Sequence, residues 1–312
     1  MKKQPAILLL LLSLIFLTNA AEAQDADDDA PIKVDTVHLT MPLTVNDRSG
    51  RNIAGLKKEN FSIFQDGIAQ NIEYFFNEEA PMNVAVLIDT SASTKEVLDK
   101  IRKAARNFVK VLRAEDKAII VGFDYRTSFL SPLTADKKTL SKAIDATFIA
   151  DKGGSDMNGA IFGVVGNYLS AFKGRKAVIV LTDGMVMRGA VSTQQVLDGL
   201  QKSDTVFYPI IFKTKAAAEA RASAALSKNK PLSIKMLEFL AEETGGAVYE
   251  KDAADLSQAF ESIAEELKKQ YLLGFYPQKT DRGKSSGYIR IAVDREDLTV
   301  KTKKRWSFNK PG

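Results

Sequence analysis

The sequence predicts an α/β fold with a doubly wound, mostly parallel sheet, plus a small β-sandwich-like domain built from N- and C-terminal strands. The sheet is indicated by wholly apolar runs, such as 84–88 and 177–181, which are typical of strands buried on both faces. Segments with helical spacing alternate with these runs, as in doubly wound folds. The second domain is indicated by alternating β patterns in 32–80 and 271–312. Each segment is too small to be stable alone, so we expect 32–80 to pair with 271–309.

The N-terminus has the features of a secretory signal peptide over residues 1–23. Two lysines precede an apolar run at 6–17, and a small-x-small site predicts cleavage near Ala23/Gln24. An uncleaved membrane anchor is the alternative, but the run is short for the roughly 20 residues that a span needs. The acidic segment 24–31 is expected to be a linker. We therefore expect a mature protein that is periplasmic or secreted and has no transmembrane span.

Composition excludes several classes of site. The chain contains no cysteine, which excludes disulfides, a cysteine nucleophile and cysteine-ligated zinc. The single histidine, His38, excludes two-histidine metal sites. The 44 basic and 39 acidic residues include no dense basic block, so we expect no nucleic-acid partner. The length of 312 residues fits about two domains, and the composition gives no indication of oligomeric state.

The α/β domain is expected over residues 82–270. Its predicted strands occupy 84–89, 117–123, 127–130, 177–181, 205–212 and 247–249. Its predicted helices follow apolar spacing at 97–112, 140–148, 161–169, 193–200, 236–243 and 256–267. The segment 213–231 is rich in alanine and lysine and has no apolar stripe, so it is expected to be an exposed, partly helical insertion.

The flanking β segments contain a strong turn signal and several short strands. Alternating apolar residues over 32–45 predict a strand with a bulge or a break between Val34 and Val37. The dipeptide Asp66-Gly67 predicts a hairpin between strands at 61–64 and 68–76. Further strands are expected at 271–276, 288–293 and 298–300.

Oxygen-bearing side chains follow several predicted strands and loops of the α/β domain. They are Asp89, Ser91 and Ser93 after its first strand, Ser155 in a glycine-rich loop, and Asp183 after its fourth strand. In a doubly wound sheet, loops at the carboxyl ends of neighbouring strands meet at the topological switch point. Five hard oxygen donors there indicate a divalent cation such as Mg²⁺, so all five are candidate metal ligands. The alternative is that the serines only cap helices.

Three motifs carry a family resemblance. Asp89-Thr90-Ser91-Ala92-Ser93, Gly153-Gly154-Ser155-Asp156 and Leu181-Thr182-Asp183-Gly184 resemble the metal-ion-dependent adhesion site of von Willebrand factor type A (vWA) domains. The resemblance covers about residues 82–270, and the flanking β segments resemble the secreted bacterial subfamily of vWA-related proteins. It implies a six-stranded, Rossmann-like sheet with one antiparallel edge strand and a divalent ion at its top.

The resemblance also implies a role for each candidate ligand. Ser91 and Ser93 would bind the ion directly. Ser155 stands where the family has a threonine and keeps the hydroxyl. Asp89 and Asp183 often bind the ion through water in this family.

The donor chemistry and the resemblance together predict a protein-binding module that is not an enzyme. Mg²⁺, or Mn²⁺ or Ca²⁺, would bind about six oxygens, and an Asp or Glu of a partner protein would complete that shell. One alternative is a metal-dependent hydrolase or transferase, although no general base is evident near the motifs. Another is a structural scaffold with a degenerate metal site. Asp124 either lines the rim of the site or begins a turn.

Overall fold

The computed structural model describes residues 39–77, 80–150, 154–185, 189–224, 231–277, 286–303 and 305–307. These residues belong to one compact unit that spans residues 37–312. The predicted signal peptide, the acidic linker, His38 and the predicted bulge or break between Val34 and Val37 lie outside the described residues. Within the described part of the chain, no helix combines the length and apolar character needed to cross a membrane.

Strands and helices alternate through the middle of the chain, whereas both ends of the described chain are β. The strands are β1 (Leu39–Asp47), β2 (Phe61–Gln65), β3 (Ile68–Gln70), β4 (Tyr74–Phe76), β5 (Met82–Asp89), β6 (Lys117–Phe123), β7 (Thr127–Phe129), β8 (Arg175–Thr182), β9 (Thr205–Phe212), β10 (Tyr249–Lys251), β11 (Tyr271–Phe275), β12 (Ser286–Val293), β13 (Leu298–Thr302) and β14 (Arg305–Ser307). The α-helices are α1 (Leu98–Val111), α2 (Lys137–Asp145), α3 (Met157–Asn167), α4 (Thr193–Lys202), α5 (Lys215–Ala224), α6 (Leu232–Thr244) and α7 (Leu256–Lys268).

The central sheet has six strands in the order β10-β9-β8-β5-β6-β7. All neighbours are parallel except β7, which is antiparallel to β6 and forms one edge. From β5 the chain moves outward through β6 and β7, and then returns to the other side of β5 as β8. The gap between the carboxyl ends of β5 and β8 is therefore the topological switch point, where such sheets bind ligands. The predicted six-stranded, doubly wound sheet with an antiparallel edge is confirmed.

Helices cover both faces of this sheet, which explains the continuous apolar runs. Every residue of β5 is buried. Val84, Val86 and Ile88 pack in one core with α1, α2 and α7. Ala85 and Leu87 point to the opposite face and pack in a second core with α3, α4 and α6. Because both faces are apolar, the strand shows no alternation of polar and apolar residues.

A small β-sandwich is built from the two ends of the described chain. One sheet has the order β13-β1-β11-β4 and the other β14-β12-β2-β3. N-terminal strands pair with C-terminal ones, β1 with β11 and β13, and β2 with β12. Met41, Ile63 and Leu273 are among the residues of both sheets that share one buried core. The sandwich-like domain predicted from the two short β segments is confirmed.

The predicted hairpin after Phe61 is correct at its turn and wrong in its second strand. Asp66 and Gly67 both have positive φ angles of 48° and 87°, and β2 pairs with β3 as expected. The predicted strand 68–76 is instead two strands in different sheets, because β4 pairs with β11. Ile72, between them, is 9% exposed and belongs to the sandwich core. The chain therefore crosses from one sheet of the sandwich to the other at Ile72, whose side chain is buried between them.

Two other boundaries differ from prediction. Helix α2 ends at Asp145, and Phe148, expected on its apolar face, is 56% exposed. Thr147 closes the end of this helix, because its hydroxyl donates to Ile144 O at 2.8 Å. The strand expected at 247–249 begins at Tyr249, which pairs with Ile210. The chain before it passes too close to β9 for ordinary spacing, since a Cβ on Gly246 would lie 1.9 Å from Phe207 O.

Candidate functional site

Two carboxylates are buried at the topological switch point. Asp89 is the last residue of β5 and Asp183 directly follows β8, and both are 0% exposed. Asp89 Oδ1 accepts from Ser91 N at 3.0 Å, and its Oδ2 accepts from Thr182 Oγ1 at 2.7 Å. Burial, together with the smaller effect of the Asp183 charge, raises the pKa of Asp89 to about 6, against the lowering effect of the hydrogen bonds from Ser91 and Thr182. Ionisation of Asp89 is therefore costly, and a second buried carboxylate stands beside it.

Asp183 is fixed by a residue from a distant segment. Its Oδ1 accepts from Met185 N at 3.0 Å, and its Oδ2 accepts from Thr214 Oγ1 at 2.8 Å. Thr214 follows β9 and is 3% exposed. The segment 213–231 was expected to be wholly exposed, and this is wrong for its start. Thr214 and Ala217 are buried, because the beginning of α5 packs against the turn after β5.

The two serines after β5 lie at the start of a short 3₁₀-helix, Ala92–Val97. Ser91 Oγ lies 3.1 Å from Ser93 Oγ. Ser91 occupies the N-cap position, but its side chain makes no capping hydrogen bond. The turn is held instead by Thr94, whose buried hydroxyl donates to Asp89 O at 3.0 Å and Ser91 O at 2.9 Å. The capping explanation therefore does not account for these serines.

Ser155 reaches the same edge of the sheet from the loop before α3. Its side chain is buried at 1% exposure, and its Oγ has no hydrogen-bond partner in the described part of the chain. The cap of α3 is the next residue, because Asp156 Oδ1 accepts from Gly159 N at 3.0 Å. Asp156 N donates to Asp124 O at 2.7 Å, which places the loop beside the end of β6.

Hydrogen bonds connect four of the five predicted ligands, directly or through a neighbouring residue, and Ser155 is the fifth. Asp89, Ser91 and Ser93 are joined by direct hydrogen bonds, and Asp183 stands next to Thr182, which bonds Asp89. Ser155 lies at the same edge without a hydrogen bond to the others. Asp124 begins a turn, because its Oδ1 accepts from Arg126 N at 2.9 Å.

Three buried threonines support this edge and were not predicted from the sequence. Thr94 and Thr182 are 0% exposed, and Thr214 is 3% exposed. Thr182 lies inside the Leu181-Thr182-Asp183-Gly184 motif, so a polar residue at the end of an apolar strand was a usable signal. Thr94 bonds Asp89 O and Ser91 O within its own turn. Thr214 has no local signal, because only the tertiary fold brings its hydroxyl to Asp183.

The residues at this edge fit a hard divalent cation. Ser155 supplies a buried oxygen without a partner, Ser91 and Ser93 supply two more hydroxyls, and the aspartates supply negative charge. The described residues contain no group of three or more His, Cys, Asp and Glu side chains that could hold a metal. A site here therefore depends on hydroxyl oxygens, which suit hard cations such as Mg²⁺ better than soft ones.

Comparisons with known proteins agree with this architecture. The sequence model of the von Willebrand factor type A domain family matches residues 83–245. An uncharacterised protein of Borreliella burgdorferi is 22% identical over 233 residues, which is 70% of this chain. The chain spans 64% of the length of that bacterial relative.

Solved structures include several that are similar to this chain. Proximal thread matrix protein 1 from the mussel byssus is similar with a TM-score of 0.50 and 15% identity, over 64% of this chain and 49% of that one. A von Willebrand factor type A structure from Catenulispora acidiphila has a TM-score of 0.47 and 12% identity, over 89% and 76% of the two chains. Since the family match covers more than half of the 312 residues, the chain belongs to the von Willebrand factor type A domain family.

Proposed function

We propose that this protein is a binding module that holds a divalent cation, Mg²⁺ or one of the similar ions Mn²⁺ and Ca²⁺, at the carboxyl edge of the vWA sheet. Ser91, Ser93 and Ser155 would be its direct ligands, and Asp89 and Asp183 would balance its charge. When bound, the cation supplies a coordination position that a carboxylate oxygen of a partner protein fills. The recognised group is thus an Asp or Glu side chain of that partner.

The observation that carries this proposal is the hydroxyl of Ser155, which has no hydrogen-bond partner among the described residues. A buried hydroxyl without a partner is destabilising, and native proteins seldom keep one without a reason. Ser155 Oγ lies at the edge that also buries Asp89 and Asp183. A cation bound there would satisfy the hydroxyl and both carboxylates at once.

The same geometry supports binding rather than catalysis. Each oxygen of Asp89 and Asp183 accepts a hydrogen bond from a backbone N–H or a threonine hydroxyl. A carboxylate held in this way is suited to orienting a ligand shell, whereas a general base must reach the proton that it removes. We therefore propose that the protein is not an enzyme. The signal-like N-terminus supports a periplasmic or secreted location.

The experiment has two steps: metal-dependent capture of a partner protein, and then substitution of the acidic residue by which that partner binds. The immobilised full chain is incubated with an envelope or medium extract in MgCl₂, washed, and eluted with EDTA. We expect a protein that elutes with EDTA, is absent from an Asp183→Asn column, and is retained by an Asp99→Asn column. Asp99 is a control because it is an exposed carboxylate on α1.

The identified partner then tests the chemistry. Replacing its contacting Asp or Glu with Asn or Gln should abolish capture. Capture that survives EDTA, or that survives Asp183→Asn, would contradict the proposal and favour a scaffold with a degenerate site. Turnover of an ester, phosphate or peptide by the full chain, lost in Asp183→Asn, would support the hydrolase or transferase alternative.

A further inference from the structure

The loop between β6 and β7 presents an exposed arginine and tyrosine on a tight turn. The loop consists of Asp124, Tyr125 and Arg126, because Phe123 and Thr127 are paired residues of the two strands. Asp124 N donates to Arg126 O at 3.0 Å, and Arg126 N donates to Asp124 Oδ1 at 2.9 Å. These two hydrogen bonds fix the backbone of the loop, so its side chains project from a defined position.

This loop lies beside the proposed metal site. Phe123, which precedes it, is the partner of Asp89 in the register of β5 and β6. Asp124 O accepts from Asp156 N at 2.7 Å, and Asp156 is the neighbour of Ser155. The loop is thus attached on one side to the strand that carries Asp89 and on the other to the segment that carries Ser155.

The guanidinium of Arg126 lies over an aromatic ring and makes only a long ion pair with the carboxylate of Asp124. Its central carbon lies 4.8 Å from the ring centroid of Tyr125, a cation–π distance. The side chain of Arg126 is 61% exposed, and its Nε is 4.0 Å from Asp124 Oδ1, beyond hydrogen-bond range. Within the described residues, the guanidinium donates no hydrogen bond.

Two other surface arginines contact a neighbouring carboxylate at short distance. Arg51 contacts Asp47 at 2.8 Å, and Arg295 contacts Asp297 at 2.7 Å. Their donors are engaged by a neighbouring carboxylate of the chain. Arg126, in contrast, keeps its charge and its planar set of donors available at the rim of the site.

We propose that Arg126, positioned by Tyr125, binds a second carboxylate of the partner. This inference rests on the proposed function, since the first carboxylate is the one at the metal site. The partner surface is then an acidic segment with two carboxylates, one for the cation and one for the guanidinium. Tyrosine and arginine are the residue types that often dominate protein interfaces, and a fixed loop limits the entropy lost on binding.

The test uses fluorescence anisotropy with labelled synthetic peptides and the full chain in MgCl₂ or EDTA. One peptide carries a single Asp in a neutral sequence, and the others carry a second Asp at increasing separation. We expect magnesium-dependent binding of all peptides and tighter binding of a two-Asp peptide. Arg126→Ala should weaken the binding of that two-Asp peptide by up to about five-fold at low salt and by less at high salt. Binding of the single-Asp peptide should be unchanged.

Arg305→Ala is the matched control. Arg305 is also exposed and lies over a tyrosine ring, 5.4 Å from the centroid of Tyr288, but it is part of the sandwich strand β14. The Arg305→Ala variant should bind the single-Asp and two-Asp peptides with the affinities of the wild type. Three outcomes would overturn this inference and leave the proposed function standing. The first is magnesium-dependent binding without a preference for two Asp residues. The others are a preference that survives Arg126→Ala, or one that Arg305→Ala abolishes to the same extent. Absence of magnesium-dependent binding to any peptide would overturn the proposed function and the inference with it.

Discussion

Buried charge is stabilised in opposite ways at the amino edge of the vWA sheet, where its parallel strands begin, and at the carboxyl edge, where they end. At the amino edge, Arg175 is 1% exposed and donates to Leu267 O at 2.6 Å and to Ala80 O. Arg113 also donates to Ala80 O, at 3.0 Å, and forms an ion pair with Asp116 at 3.0 Å. Here the buried Arg175 and the partly buried Arg113 donate to carbonyls and a carboxylate of the chain itself. These contacts fix the two places where the chain passes between the sheet domain and the sandwich.

At the carboxyl edge the buried charges are negative and the groups that bond them are neutral. Asp89 and Asp183 accept from backbone N–H groups and from the hydroxyls of Thr182 and Thr214. Ser155 adds a hydroxyl that has no partner among the residues described. The comparison indicates that the contacts at the amino edge stabilise the fold, whereas the oxygens at the carboxyl edge can still bind a cation.

The largest expected effect is at the amino edge. Arg175→Met should lower the free energy of unfolding by about 3 kcal/mol, because it leaves buried carbonyls without donors. Urea denaturation of the full chain measures this, with Arg51→Ala as a control at an exposed arginine. A loss no larger than that of the control would show that the amino edge is not the stabilising edge.

The second effect depends on pH. Burial opposes ionisation of Asp116, but hydrogen bonds from Arg113 and Met82 N outweigh it and lower its pKa below 3.8. A lowered folded-state pKa contributes stability that is present above 3.8 and lost as pH falls below it. Asp116→Asn should therefore cost about 2 kcal/mol at neutral pH, and the difference from wild type should narrow in acid. Urea denaturation at several pH values measures this difference, and a constant one would contradict the assignment.

The third effect has the opposite sign. Asp89→Asn should stabilise the metal-free protein by about 1 kcal/mol, because it removes one of two neighbouring buried charges. The amide oxygen can still accept from Ser91 N, and the amide nitrogen can donate to Thr182 Oγ1 in place of the bond that Thr182 now donates. The same variant should show no rise in melting temperature with MgCl₂, unlike the wild type. If the variant were less stable than the metal-free wild type, the carboxyl edge would be a structural network like the amino edge.

The smallest effect separates positioning from folding. Thr214→Val removes the hydroxyl that holds Asp183 and should cost about 1 kcal/mol in stability. It should also weaken Mg²⁺ binding several-fold, since Asp183 loses its orientation. Thr205→Val is the control, because Thr205 is a buried threonine at the amino edge whose hydroxyl lies 2.7 Å from Ser203 Oγ. Calorimetry should show equal stability losses but a change in Mg²⁺ affinity for Thr214→Val alone.

The main elements of the α/β domain follow from the sequence because their signals are local. β5 and β8 are apolar on both faces, and their ends carry Asp89 and Asp183 directly, so the sheet and these two site residues are predictable. Ser91, Ser93 and Ser155 are predictable through the motifs that contain them. Their role as metal ligands remains a prediction.

The remaining features depend on contacts that no local pattern records. Ile72 divides a predicted strand because two sheets share one core. Thr214 reaches Asp183 only because β9 lies beside β8, with Ile211 paired to Thr182. The exposed-insertion prediction failed at this point, since an alanine- and lysine-rich segment does not reveal that its first residues are buried.

The most direct test of the central claim is a calorimetric titration of Mg²⁺ into the metal-free full chain and two serine variants. The wild type should bind one ion, and Ser155→Ala should bind it at least about ten-fold more weakly. Metal-free stability should change little, because the Ser155 hydroxyl has no hydrogen-bond partner in the part of the chain that the structure describes. Ser203→Ala, a buried serine at the amino edge, should bind Mg²⁺ as the wild type does. No binding by the wild type, or equal binding by Ser155→Ala, would contradict the claim that this edge is a cation site.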